Sequence, residues 1–368
     1  MTGAPREPRE NEELLSIEGL RLISSLGIVC DHFLVYPLHH QPLHNNLGIF
    51  VDLFFVISGI VIASAYGTRV STPAEYGLFI QRRLARLYPL HLATMAIYIL
   101  IAVAATLGYF NVDNAQRYDW AALVPYLTLT QSWGAHGVIA WNGVTWSISA
   151  EMFVYLLVPL LLFPMRLSPR LALLAVALLA IACATVSDEL VGRPFTRLVT
   201  QVAQVRALPS FVFGLWLTMH KEWLISRVPP RTALAGFWVG LLGLILCLGL
   251  SAHPYAMLGF VWLLVAAAYR CDLSGVWTPA SEKFVSDQGR LTYSIYLIHP
   301  VIATIWLAAI GKHLLGHMPG GPWIAVAIGF IFVFILSALS YRFFEEPLRK
   351  RLGRPLFHVR DPRPGALT

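Results

Sequence analysis

Residues 18–32, with the sequence EGLRLISSLGIVCDH, form an apolar segment with an ionisable side chain near each end. Arg21 and His32 are eleven positions apart, so at about 100° per residue they lie within roughly 20° of the same helix face, about 16 Å apart along the axis. In a membrane span, burying an ionisable side chain in hydrocarbon costs several kcal/mol, so two such residues on one stripe predict a functional site. Contact of Arg21 with lipid headgroups and a structural role for His32 stay open as alternatives.

A carboxylate is expected at the depth of His32. Asp52 falls about five residues into the next apolar segment, GIFVDLFFVISG, and Asp31 directly precedes His32. A carboxylate beside an imidazole fixes its tautomer and raises its basicity, as base catalysis requires. The alternative is an ion pair that ties two helices together. In the same segment, Ser58 and Gly59 predict a close approach to a neighbouring helix.

Three arginines, Arg82, Arg83 and Arg86, stand close together in the sequence QRRLARLYP. Their spacings of three and four residues place Arg86 on one helix face with each of the others. Three guanidiniums at a membrane interface suit a phosphate-rich ligand. An ordinary basic flank that touches anionic lipid is the alternative.

The segment TWSISAEMFVY contains a carboxylate, Glu151, preceded by Trp146 and Ser147. A carboxylate within an apolar helix needs a cation or a polar ligand, because an unpaired charge in hydrocarbon is costly. Arg206, at similar depth in a later segment, is one predicted partner. The alternatives left open are a purely structural pair with Arg206 and a direct action of Glu151 on a polar substrate.

A further polar face is predicted in LTYSIYLIHP, residues 291–300. Tyr293, Tyr296 and His299 recur every three residues and so lie roughly on one helix face, with Pro300 following. This pattern indicates a polar lining of a bundle interior, although a buried, hydrogen-bonded histidine is equally compatible with it.

The elements that must position these residues are membrane-spanning helices. The 368 residues are 57% hydrophobic and only 13% charged, against about 25% charged in ordinary soluble domains. Residues 121–133 are too short and broken for a span and are predicted to be interfacial or re-entrant. We predict an all-α integral membrane protein, a bundle of about ten transmembrane helices at 17–36, 47–66, 88–109, 141–163, 170–187, 199–219, 233–250, 254–271, 291–311 and 322–344.

Lysine and arginine are concentrated in alternate loops, which by the positive-inside rule predicts that both termini face the cytosol. The predicted divisions are a cytosolic N-terminal tail at 1–16, a transmembrane domain at 17–346 and a basic cytosolic C-terminal tail at 347–368. Pro347 is expected to end the last span.

The net charge of +7 does not indicate a nucleic-acid partner, because the basic residues lie at the ends of apolar runs and no known binding motif occurs. The four cysteines are scattered and have neither a disulfide framework nor a CxxC spacing. We therefore predict no metal site and no nucleic acid, and we expect membrane lipids around the chain.

Taken together, these motifs resemble those of the membrane-bound acyltransferase-3 family, bacterial enzymes that O-acylate glycans and some macrolides. The resemblance extends from Glu18 to about Arg351. Glu346 departs from it, since many members have a basic residue there, and no fused SGNH-type esterase domain is expected. The matching strings, in the family's order, are Arg21 with His32, VDLFFVISG (51–59), RRLARLYPL (82–90), WSISAE (146–151), YSIYLIH (293–299) and YRFFEEP (341–347).

The resemblance implies a multi-pass enzyme of the bacterial cytoplasmic (inner) membrane that moves an acyl group, expected to be acetyl, from acyl-CoA to a sugar hydroxyl. Acetyl-CoA or another acyl-CoA is then a donor substrate, and no tightly bound cofactor is implied. The implied base is His32, oriented by Asp52 or Asp31. The implied ligands of the CoA phosphates are Arg21, Arg82, Arg83 and Arg86. The residues implied to position the acceptor or stabilise developing charge are Glu151, Trp146, Ser147, Tyr296, His299 and Arg206.

Two other classes of function stay open from the sequence. Ten spans with intramembrane charges would suit a transporter or flippase for a lipid-linked or small polar metabolite, although no inverted repeat with paired broken helices is evident. A structural subunit of the polysaccharide-synthesis machinery would use the same charges as ties between helices. The acceptor, whether a glycan, a glycolipid or a glycosylated metabolite, is not readable from the sequence.

Overall fold

The computed structural model of the protein describes residues 14–38, 44–67, 69–109, 115–134 and 137–355. These residues form helices and connecting loops without any strand, which confirms the predicted all-α class for this part of the chain. The predicted N-terminal tail lies outside the described residues up to residue 13, and the predicted C-terminal tail lies outside them from residue 356.

Ten helices carry the apolar segments of the described chain. They are α1 Leu15–Phe33, α2 Phe50–Tyr66, α3 Pro73–Thr106, α4 Trp146–Leu156, α5 Pro169–Val191, α6 Gln204–Met219, α7 Pro230–Gly249, α8 Pro254–Asp272, α9 Thr292–Ile302 and α10 Gly321–Ser340. Each corresponds to one predicted span. The segment predicted to be too short for a span contains only short helical pieces, Trp120–Ala122 and Leu123–Thr128.

Fewer than ten of these helices have the length of a full span. Within the described ranges, seven helical stretches are long and apolar enough to cross a membrane, and an eighth is formed if the bent pair Gly143–Leu156 and Val158–Arg166, which meet at 64°, counts as one span. The helices α2 and α6 are shorter, with 17 and 16 residues. The protein is a multi-pass membrane protein, and the N-in/C-in orientation remains a prediction.

The outer helices expose aliphatic side chains where lipid would surround them. Leu178 and Ile181 on α5, Leu242 on α7 and Ile335 on α10 are each more than half exposed. By contrast, α1, α2, α4, α6 and α9 are mostly buried inside the bundle. The polar residues singled out in the sequence are on these inner helices and on α3, so the bundle interior is where they can meet.

The helices α2 and α6 approach each other very closely. A Cβ atom added at Gly59 would lie 2.1 Å from the carbonyl oxygen of Phe211, and one added at Gly214 would lie 2.1 Å from that of Val56. Only glycine allows the two backbones to approach this closely. The close approach predicted from Ser58 and Gly59 is therefore confirmed.

We expect Gly59→Ala to destabilise the folded protein by about 1–3 kcal/mol, because the new methyl group must push α2 away from α6. The matched control is Gly259→Ala on α8, where nothing lies within 4 Å of the added Cβ position. Thermal unfolding of the two variants in the same detergent checks the prediction. Equal unfolding temperatures would contradict it.

Two helices extend further than the sequence indicated. A capping box between Thr72 and Glu75 starts α3 well before the predicted span, and the helix continues through Pro89. The last helical stretch continues through Pro347 to Leu352, so the prediction that Pro347 ends it is wrong. A wide π-helical turn at Tyr341–Glu345 comes before Pro347. Pro347 is then in the first turn of the helix Glu346–Leu352, where a backbone N–H has no partner within the helix, so the proline does not break it.

Candidate active site

Two cavities occupy the bundle interior. One, of about 760 Å³, is lined by Arg21, Arg83 and Arg86 and is called here the arginine cavity. The other, of about 1130 Å³, is lined by His32 and Trp146 and is called the histidine cavity.

The two cavities are stacked along the helix axes. On α1, Arg21 lines the arginine cavity and His32 lines the histidine cavity, about 16 Å further along. On α9, Thr292 lines the arginine cavity, and two turns later Pro300 lines the histidine cavity. The stripe predicted on α1 is therefore real, and it connects the two cavities.

Three arginines line the arginine cavity, and two of them have no ion pair within 4 Å among the described residues. Arg21 is paired with Glu18 at 2.8 Å. The Arg83 guanidinium stacks over two tyrosine rings, each 5.7 Å from it, and its buried Nε has no hydrogen-bond partner. For Arg86, no ion pair within 4 Å and no hydrogen bond is present among the described residues. An anionic group is the natural complement of such a set.

Arg82 does not belong to this set. It lies about 100° around α3 from Arg83, and it faces the C-terminal helix instead of the cavity. Its Nε is 3.5 Å from the carbonyl oxygen of Gly353. The structure therefore does not bring Arg82 together with Arg83 and Arg86 around the cavity, because the cavity faces the other side of Arg86.

A pair of histidines defines the histidine cavity. His32 Nδ1 lies 2.9 Å from the Ile28 carbonyl oxygen and 3.2 Å from His299 Nε2, while His299 Nδ1 lies 3.1 Å from the Ile295 carbonyl oxygen. A carbonyl can only accept, so both imidazoles carry their proton on Nδ1. His299 Nε2 is then an acceptor for His32, and His32 Nε2 keeps its lone pair.

The carboxylate predicted to orient His32 has a different partner. Asp52 is completely buried and accepts hydrogen bonds from Arg206, the shortest at 2.6 Å. Arg206 also donates to the carbonyl oxygen of Gly48 at 2.7 Å, and its guanidinium lies 5.0 Å from the centre of the Trp146 ring. The prediction that Asp52 orients His32 is wrong, because α2 packs against α6 and its acid faces that helix.

Asp31, the other predicted orienting group, lines the histidine cavity. In the part of the chain that the structure describes, no hydrogen bond joins it to the His32 ring. Its carboxylate also borders a side branch of about 730 Å³, lined further by Asn46 and Arg197. Arg197 donates to Asn46 at 2.7 Å. Asp31 therefore faces open space beside the base and does not hold the imidazole.

Glu151 lies in the arginine cavity and is not paired with Arg206. Ser58 donates to its carboxylate, and so does Tyr155, at 2.6 Å. The pairing of Glu151 with Arg206 is a wrong prediction, because Asp52 already holds that arginine. Trp146, five residues earlier on α4, lines the histidine cavity instead. The two residues, predicted to act together, are thus separated.

The polar face of α9 is confirmed. Tyr293 and Tyr296 line the arginine cavity, and His299 contacts His32. The Tyr296 hydroxyl lies 2.7 Å from the Ser147 hydroxyl and donates to the carbonyl oxygen of Val144 at 3.0 Å.

One cavity residue was missed in the sequence. Arg117 lines the histidine cavity and donates to the Tyr98 hydroxyl at 2.9 Å. No motif in the sequence marks it, because it follows α3 in a stretch without helical periodicity. Its one signal is that it lies in the loop after the third predicted span, on the side opposite the termini, where the positive-inside rule expects few arginines.

Comparison with known proteins identifies the family of the chain. The acyltransferase-3 family model, described as an acyltransferase domain, matches residues 14–342. The chain is similar to the acyltransferase MdmB of Streptomyces mycarofaciens, with 27% identity covering 95% of each chain. It is also similar to nodulation protein 10 of Rhizobium leguminosarum bv. viciae, with 26% identity covering 90% of this chain and 92% of that protein.

A shorter similarity, 38% identity over 96 residues, links the chain to protein 2 in the picA locus of Rhizobium radiobacter; it covers 24% of this chain and 47% of that protein. No solved structure matches the chain significantly. The family match nevertheless covers nearly the whole chain, including every helix that lines the two cavities. The protein therefore belongs to the acyltransferase-3 family and is an acyltransferase.

Proposed function

We propose that the protein is an O-acyltransferase that moves an acyl group, expected to be acetyl, from acyl-CoA to a sugar hydroxyl. The observation that carries this proposal is the stacking of the two cavities, with Arg83 and Arg86, which have no ion pair within 4 Å among the described residues, at one end and His32 at the other. A phosphate-rich donor and a hydroxyl acceptor then approach from opposite sides. The sugar is proposed to belong to a glycan, a glycolipid or a glycosylated metabolite.

The arginine cavity is the proposed donor site. Arg83 and Arg86, with Arg21, would bind the CoA phosphates, and the unpartnered Nε of Arg83 supplies a free donor for them. With the predicted N-in orientation this end faces the cytosol, where acyl-CoA is made. The pantetheine arm would follow the α1 stripe, which would carry the thioester toward His32 over about 16 Å.

The histidine pair supports His32 as the general base. His32 Nε2 takes the proton of the acceptor hydroxyl while the oxygen attacks the thioester carbonyl; the C–O bond forms, the C–S bond breaks, and the CoA thiolate takes that proton from the imidazolium. His299 Nε2 accepts the Nδ1–H of His32 and so stabilises the imidazolium between these steps. His299 is thus proposed as a positioning residue.

The histidine cavity is the proposed acceptor site. Trp146 offers an aromatic face, while Asp31 and Arg117 offer hydrogen-bonding groups around it. This combination suits a sugar, which has apolar C–H faces and hydroxyl edges. Ser147 and Tyr296 border the site from α4 and α9, whereas Arg206 acts through its position beneath the Trp146 ring.

We further propose that the protein works in the bacterial cytoplasmic membrane and that its partners are lipids and, for a polysaccharide acceptor, the synthesis machinery. Mass spectrometry of envelope glycans and secreted metabolites, with and without the gene, tests the function through a lost acyl mass. Release of CoA thiol from acetyl-CoA by purified protein tests the donor. No lost mass together with no thiol release would overturn the proposal. Substrate flux through proteoliposomes without acyl-CoA would favour a transporter.

We expect Arg86→Gln to raise the KM for acyl-CoA by about tenfold or more, because a charge-assisted contact to phosphate is lost. The matched control is Arg82→Gln, four residues away on α3 but directed to the C-terminal helix. Its KM should stay close to that of the unmodified protein. An equal rise of KM in both variants would contradict the assignment of the CoA phosphates to the arginine cavity, because Arg86 lines that cavity and Arg82 does not.

A further inference from the structure

The arginine and histidine cavities are separated by very little protein. Among the described residues that line them, Val51 and Tyr296 are common to both. Val51 is at the start of α2, and Tyr296 is on α9, one turn beyond Thr292 and one turn before Pro300. These two residues are called here the neck.

Hydrogen bonds hold the tyrosine across the neck. Its hydroxyl lies 2.7 Å from the Ser147 hydroxyl and donates to the Val144 carbonyl oxygen at 3.0 Å. These contacts tie α9 to the start of α4. The ring itself packs edge-on against Phe54, with the ring centres 5.9 Å apart, and against His299 at the same separation.

The position of His32 requires this barrier to open during the reaction. The arginines that would hold the CoA phosphates are on one side of Tyr296, and the base is on the other. The acyl group therefore has to pass the tyrosine ring. Rotation of that ring breaks only neutral hydrogen bonds to Ser147 and Val144 and leaves the charged pair of Asp52 and Arg206 intact.

Resting on the proposed function, we propose that Tyr296 selects the acyl chain by controlling passage through the neck, so that short acyl groups are transferred and long ones are excluded. The histidine cavity is the larger of the two cavities, so we assign the selection to passage through the neck and not to the final position of the acyl group. While closed, the ring also separates the thioester from water in the histidine cavity.

The test compares acetyl-CoA, butyryl-CoA and octanoyl-CoA as donors for the purified full-length protein in nanodiscs, with CoA thiol release as the readout. Tyr296→Ala is expected to lower the preference for acetyl-CoA over octanoyl-CoA, in kcat/KM, by about tenfold or more, since the steric part of the discrimination is removed. The matched control, Tyr255→Ala, truncates a tyrosine on α8 that packs against Phe195, away from the neck, and should keep the preference.

An unchanged preference in folded Tyr296→Ala would overturn the neck as the selecting element. If that variant does not fold, Tyr296→Phe and Ser147→Ala decide the question, because each removes one hydroxyl and keeps the packing. Both are expected to raise CoA release from acetyl-CoA with water as the acceptor, and unchanged release in both would overturn the proposal. No thiol release by the unmodified protein with any of the three donors would instead count against the acyltransferase proposal itself.

Discussion

His32→Ala is expected to lower kcat for acyl transfer by about 10²–10⁴-fold while the protein inserts and folds normally. The reason is that His32 lines the histidine cavity and keeps a lone pair on Nε2, since its tautomer is fixed by the Ile28 carbonyl oxygen and by His299. Without the imidazole, the acceptor hydroxyl loses the group that is positioned by Ile28 and His299 to take its proton. CoA thiol release and acyl transfer by purified protein check the prediction.

The matched control for this substitution is His313→Ala, which removes an exposed histidine beyond the far end of α9. Its turnover should equal that of the unmodified protein. Size-exclusion profiles and unfolding temperatures of both variants show whether the fold is kept. Near-normal turnover in folded His32→Ala would eliminate His32 as the base.

Asp52→Ala is expected to destabilise the protein by about 3–5 kcal/mol, because it leaves the Arg206 guanidinium buried without its counter-charge. Asp52 is completely buried and Arg206 is 3% exposed, so solvent cannot take the place of the lost partner. Loss of the monodisperse folded species in detergent, followed by thermal unfolding, measures the effect.

The double variant Asp52→Leu with Arg206→Met separates a structural role of this pair from a catalytic one. Removing both charges is expected to recover much of the stability lost in Asp52→Ala, since no unpaired charge stays buried. Recovered folding with measurable acyl transfer would agree with a structural pair. Full stability of Asp52→Ala with complete loss of turnover would instead return Asp52 to the role of orienting the base.

The sequence was sufficient for features that depend on spacing along one helix. The eleven-residue separation of Arg21 and His32 predicted a shared stripe, and the two residues indeed line two cavities along α1. The three-residue recurrence in α9 likewise predicted the polar face of Tyr293, Tyr296 and His299. In both cases helix geometry alone fixes the direction in which the side chains point.

Features that depend on the rotation of one helix against another were not predictable. Counting residues from the end of α2 placed Asp52 at the depth of His32, but depth does not say which neighbour a side chain faces. Gly59 and Gly214 bring α2 against α6, and this contact directs Asp52 to Arg206. The partner of Glu151 was wrongly assigned for the same reason.

The lengths of the individual helices were also not predictable from the sequence. The apolar stretches around α2 and α6 are long enough in sequence, but their helices have 17 and 16 residues because loops take up the remaining apolar residues. Hydropathy measures composition and cannot tell where a helix begins within an apolar run.

The shortness of α2 and α6 also has an electrical consequence. A helix of 17 residues covers about 25 Å, less than the roughly 30 Å of a bilayer's hydrocarbon core. With cavities entering above and below the neck, most of the membrane voltage would fall across a layer about one tyrosine ring thick. In the proposed reaction the CoA phosphates stay with the arginines, and only the uncharged pantetheine arm with its thioester crosses this layer. Moving this uncharged group through the membrane voltage costs no electrical work. Moving one elementary charge through 100 mV would cost or release about 2.3 kcal/mol.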